Sequence, residues 1–508
     1  MDDWLAFALC LGPLTHYVYF VRGEHHLKAP LYFQILLVTA ISFYFSPVRA
    51  FLLPAYLVSL FLSVTSYRLL FHPLRNFPGP RLAAVSKIWH SWRCRTSQNY
   101  RVLGEWKEKY GSFVRTGPNE ITIFHPEALG AISRPQNGCT KSPWYDILLP
   151  HVAINTTRDQ REHDARRAIL LQTLLNYDAS YMYVTSQVKD LIFQAGSQEM
   201  NIVDLIYHWS FDVMGDVIFS TPFQTLTHSH SHHHIHTLRR FLSFLGPFSP
   251  TPWLLILRAS LPLVADGWHQ MFKTFETCLA ERKKVFDHTT PIGPDLHALT
   301  GDAVALVIAG SDTAASTLVY ALFYLAKEPR YQDILLNELK QGNISEPSAS
   351  NVQSLPILNA VINETLRLHS PVPTGTPRDT GANGLTVAGR YIPPHTTIVA
   401  PRHNISRLSI CFSNALEFDP MRWVDAEKRE GPHDLRAFSP FGTGVYSCIG
   451  RGLAMRQMRA FIANIVSSFQ FELAEGEDGI AVERDMRDES TALPGKLWLK
   501  FSSRKRDT

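Results

Sequence analysis

The stretch from Leu296 to Lys327 contains no proline, is apolar along most of its length and stops two residues before Pro329. Its spacing predicts one helix of about 32 residues, roughly 48 Å long at 1.5 Å per residue. A helix that long crosses a whole domain, so the rest of the chain has to be packed around it. In its middle stand Ala309, Gly310, Ser311, Asp312 and Thr313, small and polar among Val, Ile, Ala and Leu. Glycine there would let a flat ligand approach the backbone, and a threonine hydroxyl can bond the carbonyl one turn back and open the ladder locally. The alternative is a helix kink with satisfied side chains.

The chain has 508 residues, enough to bury a large core without staples. With 45% hydrophobic and 19% charged residues it is not a disordered chain, and a net charge of +4 gives no reason to expect nucleic acid as a partner. Six cysteines, at positions 10, 94, 139, 278, 411 and 448, include no CxxC, which argues against a disulfide scaffold or a zinc ribbon.

Three apolar runs, Trp4 to Val21, Pro30 to Phe45 and Phe51 to Tyr67, open the chain. Each is near the lower length limit for a span of roughly 17 to 25 residues. The acidic start Met1-Asp2-Asp3 and the threefold repeat argue against a cleaved signal peptide. With three spans, Arg22 and Lys28 fall on the same side as Arg68, Arg75, Arg81 and Lys87, opposite Asp2, Asp3 and Arg49. Positive-inside orientation then puts the remaining chain in the cytosol. One span near 51–67 with two interfacial segments is the other arrangement. Residues 1–70 are thus expected to be a membrane anchor of up to three transmembrane segments. Residues 71–80, with Pro73, Pro78 and Pro80, are expected to be an extended hinge, and 81–508 the catalytic domain. Helical periodicity dominates that domain, with strand-like pieces at Ile121 to Phe124 and within Leu385 to Val399. The fold class expected is mainly α with a small β region.

The most informative segment is Phe441-Gly442-Thr443-Gly444-Val445-Tyr446-Ser447-Cys448-Ile449-Gly450, followed by the helical run from Arg451 to Arg459. A glycine-rich turn presents a cysteine at a helix start, where backbone amides favour a thiolate. A lone thiolate beside space for a flat cofactor suggests haem; a buried structural cysteine or a nucleophile is the alternative. No His/Asp arrangement for acyl chemistry flanks it.

With these residues in place the chain resembles the cytochrome P-450 family, in particular membrane-anchored fungal members of secondary metabolism. The family's pattern F-x-x-G-x-R-x-C-x-G is met at Phe441, Gly444, Cys448 and Gly450, with Tyr446 in place of the usual basic residue. A branch that includes tryprostatin hydroxylases also has tyrosine there. The resemblance implies a P-450 fold after the N-terminal helices, haem b with Cys448 as axial thiolate and metal ligand, and Tyr446 offering a haem propionate only a neutral hydrogen bond. Ala309 to Thr313 fit A-G-x-[DE]-T, which implies that Thr313 and Asp312 relay protons to bound dioxygen. Glu364 and Arg367 fit E-x-x-R and join Arg422 of Phe418-Asp419-Pro420-Met421-Arg422-Trp423 in a structural network. His163 and Arg167 match a [WH]-x-x-x-R helix, and Arg378 follows the E-x-x-R helix; the resemblance makes these three propionate ligands.

The implied activity is a monooxygenase that inserts one atom of O2 into a hydrophobic small molecule. No flavin or nicotinamide fingerprint is present, so NADPH electrons are expected through a separate cytochrome reductase. Arg161, Arg166, Arg456 and Arg459 form a candidate docking face for it. Location in the endoplasmic reticulum membrane, among lipid, with the catalytic domain cytosolic, follows from the anchor and the resemblance. Two other readings are a haem-thiolate isomerase or dehydratase without external electrons, and a non-catalytic haem-binding membrane protein. Pocket walls are expected near residues 135–155, 222–250, 374–378 and 486–494. The histidines between His228 and His236 are expected in a polar loop, and the 286–302 segment is shorter than in many relatives.

Overall fold

The computed structural model describes residues 2–45, 50–175, 180–228, 232–261, 266–285, 296–424 and 431–504. Arg49, His230 and most of the short 286–302 segment lie outside these.

The Leu296–Lys327 helix forms as one element of 32 residues. Leu318, Val319, Ala321 and Leu325 are wholly buried, which periodicity along an amphipathic-to-apolar helix dictates. It packs against helices Ile202–Phe219, Pro356–Leu368 and Arg451–Ser468. Gly310 admits a neighbour here, not a ligand: a Cβ on it would lie 2.4 Å from the Met214 sulfur. The expected use of that glycine, close approach of a flat ligand, is therefore replaced by close approach of the Ile202–Phe219 helix.

The β region is small. A five-stranded sheet runs in the order 113–117, 120–123, 397–399, 378–379, 140–141. Only the pairing of 120–123 with 397–399 is parallel among its described contacts. The last pairing sets Lys141 directly across from Arg378. A second hairpin, Arg487–Glu489 with Thr491–Leu493, packs on the long helix. The histidine stretch departs from the expected loop: His232–Phe248 is helical, because Leu238, Phe241, Leu242 and Leu245 recur at helical spacing and are buried.

Glu364 anchors the helix Pro356–Leu368 in a closed charge network. Arg367 donates two bonds of 2.8 Å to its two oxygens, Arg422 a third of 2.8 Å, and the Trp423 indole a fourth of 3.0 Å. The remaining Arg367 and Arg422 donors reach the carbonyls of Ser406, Ala415 and Ser413 at 2.7 to 3.0 Å. All three charged side chains are essentially inaccessible, so the network ties two distant chain segments together without solvent.

The N-terminal runs form helices Asp2–Thr15, Ala29–Tyr44 and Leu52–Ser66. His26–Tyr44 and Leu52–Phe71 are long and apolar enough to cross a membrane. These apolar helices fit membrane anchoring. The first and third pack together at Gly12, where a Cβ would fall 2.1 Å from Ser59 Oγ. The link between the first two helices is bonded to the large domain. Arg158 holds both oxygens of Glu24 at 2.7 Å and Asp146 at 2.8 Å, and His26 meets Asp146 at 2.7 Å. Residues 73–76 are a tight 3₁₀ turn, not extended, because Leu74 is wholly buried and Arg115 N–H bonds the Pro78 carbonyl at 2.7 Å.

Candidate active site

The cysteine loop is built by two left-handed glycines. Gly442 and Gly444 have φ of +66° and +69°, and a Cβ on Gly444 would come within 2.1 Å of the Ser133 carbonyl oxygen. The turn closes when Cys448 N–H donates to the Phe441 carbonyl at 2.8 Å. Phe441 packs on the core and under the Arg451 guanidinium. Gly450 caps the helix Arg451–Ser468. The backbone N–H groups of Gly450 and Arg451 face the Cys448 sulfur. Solvent reaches that sulfur, yet protein surrounds most of it. Burial pushes its thiol up, against the pull of these amides and of Arg167 and Arg402.

Arg167 donates to the Ser447 carbonyl at 2.6 Å and to Ser447 Oγ at 3.1 Å. The guanidinium thereby fastens the residue preceding Cys448. His163 bonds Asp164 at 2.9 Å and sets its ring edge against Tyr446 at 5.0 Å. Tyr446 itself donates its hydroxyl to Gln160 at 2.5 Å. Arg378 donates to the Tyr145 hydroxyl and to the Pro377 carbonyl, and its guanidinium lies 4.7 Å from the centre of the Tyr446 ring.

Three cations here carry no local sequence signature. Lys141 is buried with its ammonium 4.9 Å from the Tyr446 ring centre. Burial, with Arg378 and Arg166 nearby, pulls its amine down to about 7. Arg402 is half-buried, its inaccessible Nε has no hydrogen-bond partner among the described residues, and desolvation lowers it to about 10. Arg239, from the His232–Phe248 helix, reaches Asp312 at 2.8 Å. Lys141 becomes visible only through its cross-strand register with Arg378, and Arg239 only through the packing of two helices.

On the long helix, Thr313 Oγ1 donates to the Ala309 carbonyl at 2.6 Å, as the sequence leads one to expect, and is half-buried. Asp312 points elsewhere. Its carboxylate is held by Arg239 and, at 2.9 Å, by the Thr491 hydroxyl of the second hairpin. The two side chains thus share a helix turn without touching one another. A cavity of about 310 Å³ is lined by Trp144, Pro250, Thr374, Thr376, Asp488 and Ser490 among others. All four expected wall segments contribute to it. Asp488 accepts a bond from Thr374, and burial raises its carboxyl to about 6. Of the expected docking arginines, Arg166 is spent on Glu162 at 2.7 Å and Asp302 at 2.6 Å, and Arg456 and Arg459 reach Leu174 O and Asn359 at 3.1 and 2.8 Å. Arg161 stays exposed.

The profile of the cytochrome P450 family matches residues 78–497. The chain is a cytochrome P450. It is 32% identical to a tryprostatin B 6-hydroxylase of Neosartorya fischeri over 96% of each chain. It is 33% identical to the cytochrome P450 monooxygenase notG' of Aspergillus versicolor over 94% of each. The heme domain of cytochrome P450DA superposes with a TM-score of 0.68 at 17% identity, covering 80% of this chain and 94% of that one. As a member of this family the P450 is a haem-thiolate monooxygenase. It uses O2, a hydrophobic substrate and NADPH electrons delivered by a reductase. The residues fit the cofactor: a thiol that solvent reaches on one side, and that a metal cation would keep ionised, lies in the same loop region as the buried cations Lys141 and Arg378, which have no carboxylate hydrogen-bonded to them among the described residues. A porphyrin iron with carboxylate edges meets both needs.

Proposed function

We propose that Cys448 is the axial ligand of haem b, within the loop formed by Phe441, Gly444 and Gly450. His163, Arg167 and Arg378 would hold its propionates, with Tyr446 beside them in the cofactor wall. The supporting observation is the convergence of amide N–H groups and two arginines on one sulfur at the start of a helix. We place the catalytic domain at residues 81–508, behind a 71–80 hinge and a 1–70 anchor. The anchor would sit among lipids of the endoplasmic reticulum membrane with the catalytic domain on the cytosolic side. The relatives named as tryprostatin B 6-hydroxylases favour oxygenation of a fungal secondary metabolite.

Bound there, haem supplies reductive activation of dioxygen, so that one oxygen atom enters the substrate and the other leaves as water. The amides of Gly450 and Arg451 hold the negative charge of the sulfur. Thr313 Oγ1 donates outward by leaving the Ala309 carbonyl, and Asp312 is the acid that reprotonates it. For that step the carboxylate must take up a proton from solvent and turn away from Arg239 and Thr491, which hold it out of the way otherwise.

Cys448→Ser is expected to abolish the thiolate-type carbonyl spectrum of the reduced protein; an unchanged spectrum rejects the ligand. Thr313→Ala is expected to lower product per NADPH by about tenfold or more, with peroxide released in its place. Unaltered coupling, measured as product against NADPH consumed, removes Thr313 from the proton path.

A further inference from the structure

Lys141 and Arg378 face one another across an antiparallel pair of strands, and both are buried. Like charges directly opposite repel, and burial removes the water that would screen them. Lys141 Nζ donates to the carbonyls of Thr157 at 2.7 Å and Ile154 at 3.2 Å. An ammonium has three donors, and among the described residues its third has no hydrogen-bond partner. It lies over the rings of Tyr145 and Tyr446, at 5.4 and 4.9 Å, the same two rings that Arg378 covers at 5.2 and 4.7 Å. Two cations therefore converge on one spot from neighbouring strands, next to the loop position where Tyr446 brings no charge.

The geometry points to Lys141 as the haem-propionate cation that replaces the charge absent at Tyr446, shared with Arg378 across the strand pair. This rests on the assignment of haem to the Cys448 loop. An anion placed between the two side chains offsets their mutual repulsion and accepts the third ammonium hydrogen bond. It also accounts for the position of the two tyrosine rings, which floor the site without competing for it, since Tyr446 gives its hydroxyl to Gln160. The lowered basicity of the isolated amine agrees with a group waiting for a negative partner.

The test measures haem transfer from the full-length loaded protein to an excess of a haem-scavenging apoglobin, followed by the Soret band. Lys141→Met is expected to lose haem about tenfold faster, a loss of one charge-assisted contact. Lys141→Arg should hold it as the native chain does. Tyr446→Arg added to Lys141→Met should bring the rate back within about twofold of native, because the charge returns from the loop side. Loading with haem dimethyl ester, which has no propionate charge, should erase the difference between the native protein and Lys141→Met. A native rate in Lys141→Met overturns the inference. So does a faster rate that persists with the ester, which would make Lys141 only a clasp for the Ile154 and Thr157 carbonyls. Should the methionine variant not accumulate, Lys141→Gln, which keeps an N–H and loses the charge, carries the same comparison. A native protein that retains no haem would instead reject the Cys448 assignment itself.

Discussion

Two clusters of buried charge sit within one domain and behave in opposite ways. Around Glu364 the groups are paired: two arginines and an indole meet its carboxylate within 3.0 Å, and backbone carbonyls take up the remaining guanidinium donors. Around Tyr446 three cations, Lys141, Arg378 and Arg402, are brought inside, and no carboxylate is hydrogen-bonded to any of them among the described residues. The first cluster is complete as folded, so it is architecture. The second is incomplete as folded, so it is a binding site. Completeness of pairing, more than the presence of charge, separates the two roles.

Breaking the closed cluster should produce the largest effect. Glu364→Gln leaves Arg367 and Arg422 buried and short of a countercharge, at a cost of about 3–5 kcal/mol. The loss should appear equally with and without haem, since no group of the network faces the cofactor loop. Thermal melts of loaded and haem-free protein check this. A loss confined to the loaded form would make Glu364 part of the site and end the contrast.

An intermediate effect belongs to Asp488, a buried acid in the cavity wall that accepts a hydrogen bond from Thr374. Its carboxyl is raised by burial to about 6. A raised acid stabilises the fold below its unfolded value near 4, and that contribution is lost as pH climbs toward 6. Asp488→Asn should therefore gain on the native chain by up to about 3 kcal/mol between pH 4 and 6.5, then run parallel above. Parallel stability curves across the whole range would show that Thr374 and the neighbouring backbone already satisfy the ionised group.

The sequence revealed the two clusters unequally, for a physical reason. Glu364 and Arg367 lie three apart on one helix face, and the long helix ends where Pro329 requires, so both are written in local spacing. The cysteine turn is equally local, since Gly442 and Gly444 adopt the left-handed backbone that their type permits. Lys141, Arg402 and Arg239 are brought in by strand register and helix packing between segments far apart in the chain. The same long-range packing turned Arg167 onto Ser447 and gave Met214 the space beside Gly310. It also made a helix of residues 232–248, where apolar periodicity outweighed the polar histidines.

The smallest effect sharpens the contrast most, because it changes sign. Arg402 is half-buried, lacks a partner at its inaccessible Nε among the described residues and is lowered to about 10 by desolvation, with Arg378 adding to the penalty. At neutral pH it is still charged, so the haem-free protein bears an unrelieved cost there. Arg402→Met fills a similar volume without charge and should stabilise the haem-free protein by about 1 kcal/mol. In the loaded protein the negative sulfur of Cys448 offsets that cost, as its upward pull on Arg402 indicates, and the same substitution should then destabilise. Differential scanning calorimetry of the two forms distinguishes the outcomes. Opposite signs place Arg402 with the binding site; equal signs place it with the framework around Glu364 and shrink the incomplete cluster to the strand pair Lys141 and Arg378.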